Sequence, residues 1–209
     1  MPKEPDLITS EAELRALYGE AKKLAAAAKT DRLDDLCRRF IELAPFICIS
    51  SCDAEGRQDV SPRGDQPGFV HVLDERTLAI PDRPGNNKLE TLSNILVNPQ
   101  VALLFAIPGH DETLRIFGRA CISRDTSLLA ATAVAGKLPK TVILISIEQV
   151  YPHCGKALRR ARLWDPLARP DQQAVPSLAA IALGMANIQD RKLADVEAQI
   201  QQSYITDLY

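Results

Sequence analysis

The 209-residue sequence predicts a mainly β domain, a small closed or nearly closed barrel with helices at its edges. Two observations carry this expectation. Between Phe46 and Ile122 the chain consists of short apolar or alternating runs separated by turn residues, the pattern of half-buried strands. On either side, residues 10–43 and 176–200 place apolar positions at helical spacing. Many short strands leave many unpaired edges, and closing the sheet on itself removes them.

Taken in order, Ser10-Glu11-Ala12-Glu13 has capping-box spacing, and Leu14, Leu17, Tyr18, Ala21 and Leu24 follow on one helical face. A second stripe, Leu33, Leu36, Cys37, Phe40 and Leu43, begins after Thr30 and is stopped by Pro45, so two helices precede the strands. Strands are expected near 46–52, 57–61, 69–73, 77–80, 101–107 and 112–123, with a last one at 141–150. Asp53-Ala-Glu-Gly56, Leu73-Asp-Glu-Arg76 and Pro108-Gly109 supply the turns. Helices interrupt the strands at about 88–97, carrying Leu89, Leu92, Ile95 and Leu96, and at 125–135, and one apolar-faced helix covers 176–200. The expected organisation is an N-terminal helical segment at 1–45 packed on the barrel, the barrel core at 46–150, and a basic segment with the C-terminal helix at 151–209 in the same domain.

Composition excludes several classes. Twenty-five Lys plus Arg stand against twenty-seven Asp plus Glu, with 46% hydrophobic residues, which is globular rather than disordered. The basic excess that phosphate-backbone binding requires is absent, so no nucleic-acid partner is expected. Val101–Ile107 and Thr141–Ile147 are strand-sized, far below the ~18 apolar residues of a membrane span. Met1-Pro-Lys-Glu-Pro-Asp6 lacks the basic-then-apolar pattern of a leader, and a cytoplasmic protein is expected. Five cysteines without a C-x-x-C pair and three histidines without ligand spacing give no expectation of a metal. Cys37, Cys48, Cys52 and Cys121 sit in apolar strings and read as small core residues; Cys154, beside His153 and Gly155-Lys156, is either another of these or a thiol of lowered pKa.

Three segments hold the candidate chemistry. In Asp59-Val-Ser-Pro-Arg-Gly-Asp-Gln-Pro-Gly-Phe69 a hydroxyl, a guanidinium and a carboxylate lie among prolines and glycines that shape the backbone. It is either a site or a solvated hairpin loop with an Arg63–Asp65 surface pair. In Ile80-Pro-Asp-Arg-Pro-Gly-Asn-Asn-Lys-Leu89, Arg83, Asn86, Asn87 and Lys88 arrive where a helix exposes unpaired N–H groups, an arrangement suited to phosphate. The competing reading is an ordinary helix start capped by Asn87. Tyr151–Asp165 gathers His153, Trp164, Lys156, Arg159, Arg160 and Arg162, either a cationic clamp for an anionic substrate or a basic helix face with Trp164 in the core. Neither a G-x-S-x-G elbow, an H-E-x-x-H, a P-loop nor a G-x-G-x-x-G occurs, so hard chemistry would fall to a cofactor.

The series Ser-Pro-Arg-Gly-Asp (61–65), Pro-Gly-Phe-Val (67–70), Ile-Pro-Asp-Arg-Pro-Gly-Asn-Asn-Lys-Leu (80–89), Asn-Ile-Leu and Asn-Pro (94–99), and Ile-Pro-Gly through Glu-Thr-Leu-Arg (107–115) resembles the pyridoxamine 5′-phosphate oxidase-like flavoprotein superfamily, in particular a subgroup of probable FMN-dependent enzymes. The similarity continues through Phe-Gly-Arg-Ala (117–120) and residues 153–166 to the terminal Leu-Tyr. It implies a split β-barrel of the FMN-binding type, a homodimer with FMN at the interface, and oxidoreductase activity on an unknown small molecule, or alternatively a non-catalytic flavin-binding dimer that senses or stores the cofactor. Under the resemblance, Lys88 matches the family's phosphate-binding lysine, Asn87 stands where a neighbouring arginine is usual, and Arg83 replaces the charge so lost. Ser61, Pro62 and Arg63 match the strand bordering phosphate and flavin ring, and Ile80, Pro81 and Asp82 lead into the phosphate segment. His153, Lys156 and Arg159 are substrate-side candidates. The chain departs from authentic pyridoxamine phosphate oxidases at two places. Ser61–Asp65 replaces an arginine-opened apolar strand ending in lysine, and a long helix with Asp207-Leu-Tyr replaces the terminal substrate-binding string.

Overall fold

The computed structural model describes residues 7–209; Met1–Asp6, on which the leader reading rests, lie outside the described residues. Among those described, seven strands form one antiparallel sheet: β1 (Phe46–Cys52), β2 (Gln58–Gly64), β3 (His71–Val72), β4 (Thr77–Pro81), β5 (Gln100–Ala106), β6 (Thr113–Ser123) and β7 (Val142–His153). Their spatial order is β2-β1-β5-β6-β7-β4-β3. The alternation in sequence sets the inner face. Ile47 and Ile49 lie opposite Phe105 and Leu103, Leu103 opposite Ile116, and all are buried. Ile143 and Ile145 of β7, with Leu78 and Ile80 of β4, continue the same core.

β2 and β4 are first and sixth in the order, yet Arg63 of β2 reaches Asp82, just past β4, at 2.7 Å. The sheet therefore curls until its two ends face each other. The bend is helped by a bulge between Phe117 and Gly118. A Cβ at Gly118 would lie 2.1 Å from the carbonyl oxygen of Ser146, so only glycine lets β6 and β7 approach there. Helix α4 (Glu90–Val97) buries Thr91 and Ile95. It is tied to the sheet by Thr91 Oγ1 donating to Asp59 at 3.0 Å and by the Asn94 amide donating to Ser51 Oγ at 3.0 Å.

The helices before the sheet are three rather than two: α1 (Glu11–Tyr18), α2 (Lys23–Ala27) and α3 (Asp35–Leu43). The first stops at Gly19, whose φ of 69° ends the helical path. Ser10 caps α1 as the capping-box spacing predicts. The third starts late because Asp34 caps it by accepting from the Cys37 N–H at 2.7 Å, while Thr30 is drawn into a bridge with Val150. Only α3 reaches the core, through Ile41. Helix α5 (Thr126–Ala131) is shorter than expected, and a short helix α6 (Lys156–Ala161) follows β7. The expected C-terminal helix is two, α7 (Leu178–Ala186) and α8 (Leu193–Thr206), broken where Asn187 takes φ of 52°. No described helix is long and apolar enough to cross a membrane.

Candidate functional site

β2 is an edge strand, and this decides the character of residues 58–64. The segment expected to end at residue 61 and then loop instead stays paired with β1 as far as Phe46 opposite Gly64. Pro62 is tolerated because a strand with a free edge can lack one N–H donor. Opposite it, β3 pairs with β4 only at Leu78 and Ala79, so Ile80 and Pro81 keep the corresponding edge free. Two free edges thus face each other, and two ion pairs cross between them. Arg63 meets Asp82 at 2.7 Å, and Arg83 meets Asp65 at 2.6 Å, with a further bond from Arg83 to the Thr132 carbonyl at 2.9 Å. The surface pair Arg63–Asp65 does not form: Arg63 is taken by Asp82, and Asp65, just past the end of β2, is taken by Arg83. Arg63 Nε is buried without a hydrogen-bond partner, a donor left over in this cleft.

Asp65 is the most enclosed of the four, its side chain 2% exposed. Burial alone would raise its pKa. Hydrogen bonds from the Tyr209 hydroxyl, the Gln66 N–H and Arg83 outweigh burial and hold the carboxyl below its usual range. Tyr209 also places its ring over Arg83 at 5.8 Å and takes the Lys137 ammonium on its carbonyl at 2.9 Å. His71, half-buried nearby, is held below the ordinary histidine value by burial and by the Arg83 charge.

From the cleft the chain passes through Pro84 and Gly85 into two left-handed residues, Asn87 at φ 57° and Leu89 at φ 61°. Asn87 is not the cap. Leu89 holds that position, and no side chain caps α4. The exposed Lys88 has no ion-pair partner among the described residues, and its N–H bonds to Asn86 Oδ1 at 3.1 Å. An uncapped helix start beside an unpaired ammonium is chemically suited to a phosphate. Arg83, the expected second cation, is already neutralised by Asp65.

The basic segment lies elsewhere in the chain. Val142 of β7 pairs with Pro81, whereas His153 is at the far end of the same strand, at most about 36 Å away along extended backbone. Within one chain, His153 and Arg159 bond to residues outside the cleft rather than to Arg63, Asp65, Asp82 or Arg83. Arg159 pairs with Asp111 at 2.7 Å, Lys156 is exposed, and His153 Nδ1 lies 2.6 Å from an Arg115 nitrogen. Trp164 is half-buried and donates to the His110 carbonyl at 2.9 Å, which fits neither a fully buried core residue nor a free one.

Sequence reading missed the group around Tyr151. On the outer sheet face its ring stacks on Phe117 at 5.4 Å, with Arg115 at 4.7 Å and the Lys29 ammonium at 4.9 Å. Arg115 Nε is buried and unpaired. The available signal was parity: Arg115 and Phe117 alternate on β6, and Arg115 lies directly opposite Tyr151. No group of three or more His, Cys, Asp or Glu among the described residues is arranged to hold a metal.

The family model described as pyridoxamine 5′-phosphate oxidase matches residues 33–154, more than half of the chain. The chain belongs to the pyridoxamine 5′-phosphate oxidase family. Among solved structures, a putative pyridoxamine 5′-phosphate oxidase from Lactobacillus delbrueckii is 24% identical, aligned over 58% of this chain and 95% of that one with a TM-score of 0.47. HupZ from Group A Streptococcus is 18% identical over 56% of this chain and 90% of its own, TM-score 0.46. HutZ, the haem storage protein of Vibrio cholerae, is 15% identical over 59% and 97%, TM-score 0.40. No curated protein matches in sequence.

In this member of the pyridoxamine 5′-phosphate oxidase family the matched part contains the whole sheet, α3 to α5 and both halves of the cleft. The helices α1, α2, α6, α7 and α8 lie outside it. All five cysteines are free thiols. Burial pushes the Cys37 thiol up to about 11, helped by the Asp34 carboxylate, and burial also raises Cys48. Cys121, expected in the core, is exposed because it alternates outward between Ala120 and Ile122 on β6.

Proposed function

We propose that the protein is an FMN-binding flavoprotein and an oxidoreductase acting on a small molecule, working as a homodimer with the cofactor at the interface. The observation that carries this reading is the cleft between the free edges of β2 and β4. Main-chain groups of Ser61–Arg63 and Ile80–Asp82 border it, Arg63 Nε is a spare buried donor, and the uncapped start of α4 with the unpaired Lys88 adjoins it. The donors fit a flavin phosphate and the hydrogen-bonding edge of a ring. Bound flavin would supply two-electron redox chemistry. The chain's own groups would orient it: Lys88 and the α4 N–H groups at the phosphate, and the β2 edge at the ring.

The homodimer draws support from the outer sheet face, where Phe46, Cys48, Leu104, Phe117 and Tyr151 are only partly covered. A second copy on that face would bring its own Arg115, His153 and basic segment to the interface. The test is the visible spectrum of the purified protein, with mass spectrometry of the released ligand. Flavin bands and a released FMN are expected; a colourless protein that does not quench added FMN fluorescence refutes the reading, and a Soret band with released haem assigns a different cofactor. Replacing Lys88 with Ala removes a charge-assisted contact and is expected to weaken FMN binding roughly tenfold or more, read by fluorescence titration. Unchanged affinity would remove Lys88 from the phosphate site.

A further inference from the structure

The chain exposes 14502 Å². A compact monomer of 22.9 kDa exposes about 9,600 Å². Allowing the six residues outside the description the full area of an unfolded chain, about 1,000 Å², still leaves roughly 3,900 Å² in excess. Part of that excess lies on the terminal helices, where Leu14, Leu17, Tyr18, Leu24, Leu178, Ile181 and Met185 are all exposed. Neither α1 nor α2 has a buried residue, and helices of eight and five residues are not stable without a surface to pack on. Helix α7, Leu-Ala-Ala-Ile-Ala-Leu-Gly-Met-Ala, has no charged residue and packs chiefly on α8, leaving Leu178, Ile181 and Met185 exposed at 59%, 48% and 85%. A helix apolar all round and covered on one side only lacks its second partner.

We propose that these terminal helices are arms whose uncovered faces pack on a second copy of this chain, an interface additional to the outer sheet face. The proposal rests on the homodimer reading above. The area fits a second copy as the occupant. Interfaces of obligate dimers bury about 2,000–5,000 Å² in total, or half of that on each chain. Roughly 3,900 Å² of excess on each chain is therefore enough for an intertwined pair, and one two-fold contact relieves it on both copies at once. Charge does not oppose it: α7 is uncharged, and the whole chain carries only −2. The arm is also anchored beside the cleft, since Tyr209, just beyond α8, donates to Asp65 at 2.7 Å. A copy gripping α7 and α8 thus adjoins the site that the dimer reading puts at the interface.

The test is a dilution series in the analytical ultracentrifuge on the full chain and on a variant carrying Ile181→Glu and Met185→Glu, both positions solvent-facing in the single chain. The expected result is a dimer whose dissociation constant rises on the order of 100-fold in the variant, while the conservative pair Ile181→Val and Met185→Leu leaves it within a few-fold. Hydrogen exchange at residues 178–186 and 11–18 should slow as wild type is concentrated through the transition. A wild-type dimer in which the Glu variant has the same constant and the arms exchange at the same rate at all concentrations overturns the arm proposal and leaves the dimer standing. A wild type that stays monomeric at micromolar concentration and above removes the dimer reading itself.

Discussion

Removing the charge of Asp65 tests whether the cleft is held together as its geometry implies. In Asp65→Asn the side chain is nearly isosteric, but Arg83 loses its counterion in a site where the two side chains are 2% and 16% exposed. Opposite charges about 4 Å apart attract by about 4 kcal/mol at the effective dielectric of such sites, and removing one member of a buried pair costs about 3–5 kcal/mol. Arg83 keeps the Thr132 carbonyl and some access to solvent, and asparagine can still accept a hydrogen bond, which places the expected loss at the lower end, about 3 kcal/mol. For a chain of this size that corresponds to a fall in Tm of about 6–12 °C. Urea unfolding followed by circular dichroism and by the single tryptophan, Trp164, reads the loss directly. The sign with pH follows from linkage. The folded pKa of Asp65 lies below its unfolded value, so its stabilisation is fully present above the unfolded value and disappears as pH falls through the folded one. Wild type and variant should therefore converge in acid. A double-mutant cycle with Arg83→Met supplies the refutation: effects that add within about 0.5 kcal/mol mean that the two residues are not coupled and that the cleft is not clamped by this pair.

Two further outcomes follow from local geometry. Gly118→Ala puts a Cβ 2.1 Å from the Ser146 carbonyl oxygen, a backbone atom that cannot swing aside. A loss of about 3 kcal/mol or more is expected, and chemical denaturation showing less than about 1 kcal/mol would mean that the bulge relaxes freely. Alkylation by iodoacetamide near neutral pH, read by peptide mass spectrometry, should modify the exposed Cys121 and Cys154 first. Cys37, its pKa pushed up to about 11 and its side chain half-covered, should react at least about a hundredfold more slowly than a free thiol; equal labelling of Cys37 would contradict its burial.

The strand positions were legible because alternation is a local property: Ile47 and Ile49, or Leu103 and Phe105, declare an inner face without reference to the rest of the fold. Helix ends were legible where a cap is a neighbour, as at Ser10, and illegible where a more distant contact competes, as at Thr30, which Val150 takes into a bridge. The break at Asn187 was missed because an apolar stripe running from 176 to 200 outvotes one residue in the left-handed region. Strand order could not be read at all. That β2 ends on an edge, which turns Ser61–Arg63 from a loop into a strand with free main-chain groups, depends on pairings between residues far apart in sequence.

The same non-locality limits what residue types say about the site. Segments 61–65 and 80–88 contain three cations, Arg63, Arg83 and Lys88, and two acids, Asp65 and Asp82. Their formal sum is unaffected by pairing, but their capacity to hold an anion is not. If all three cations are counted as phosphate ligands at about 1.5–3 kcal/mol each, the affinity is overstated by the two that Asp82 and Asp65 already occupy, about 3–6 kcal/mol, or on the order of 10²–10⁴ in Kd. An anion that recruited Arg63 or Arg83 would have to displace a carboxylate first, whereas one at Lys88 displaces only water. Phosphate affinity at this cleft should therefore respond strongly to Lys88 and weakly to Arg83, while stability should respond in the opposite order.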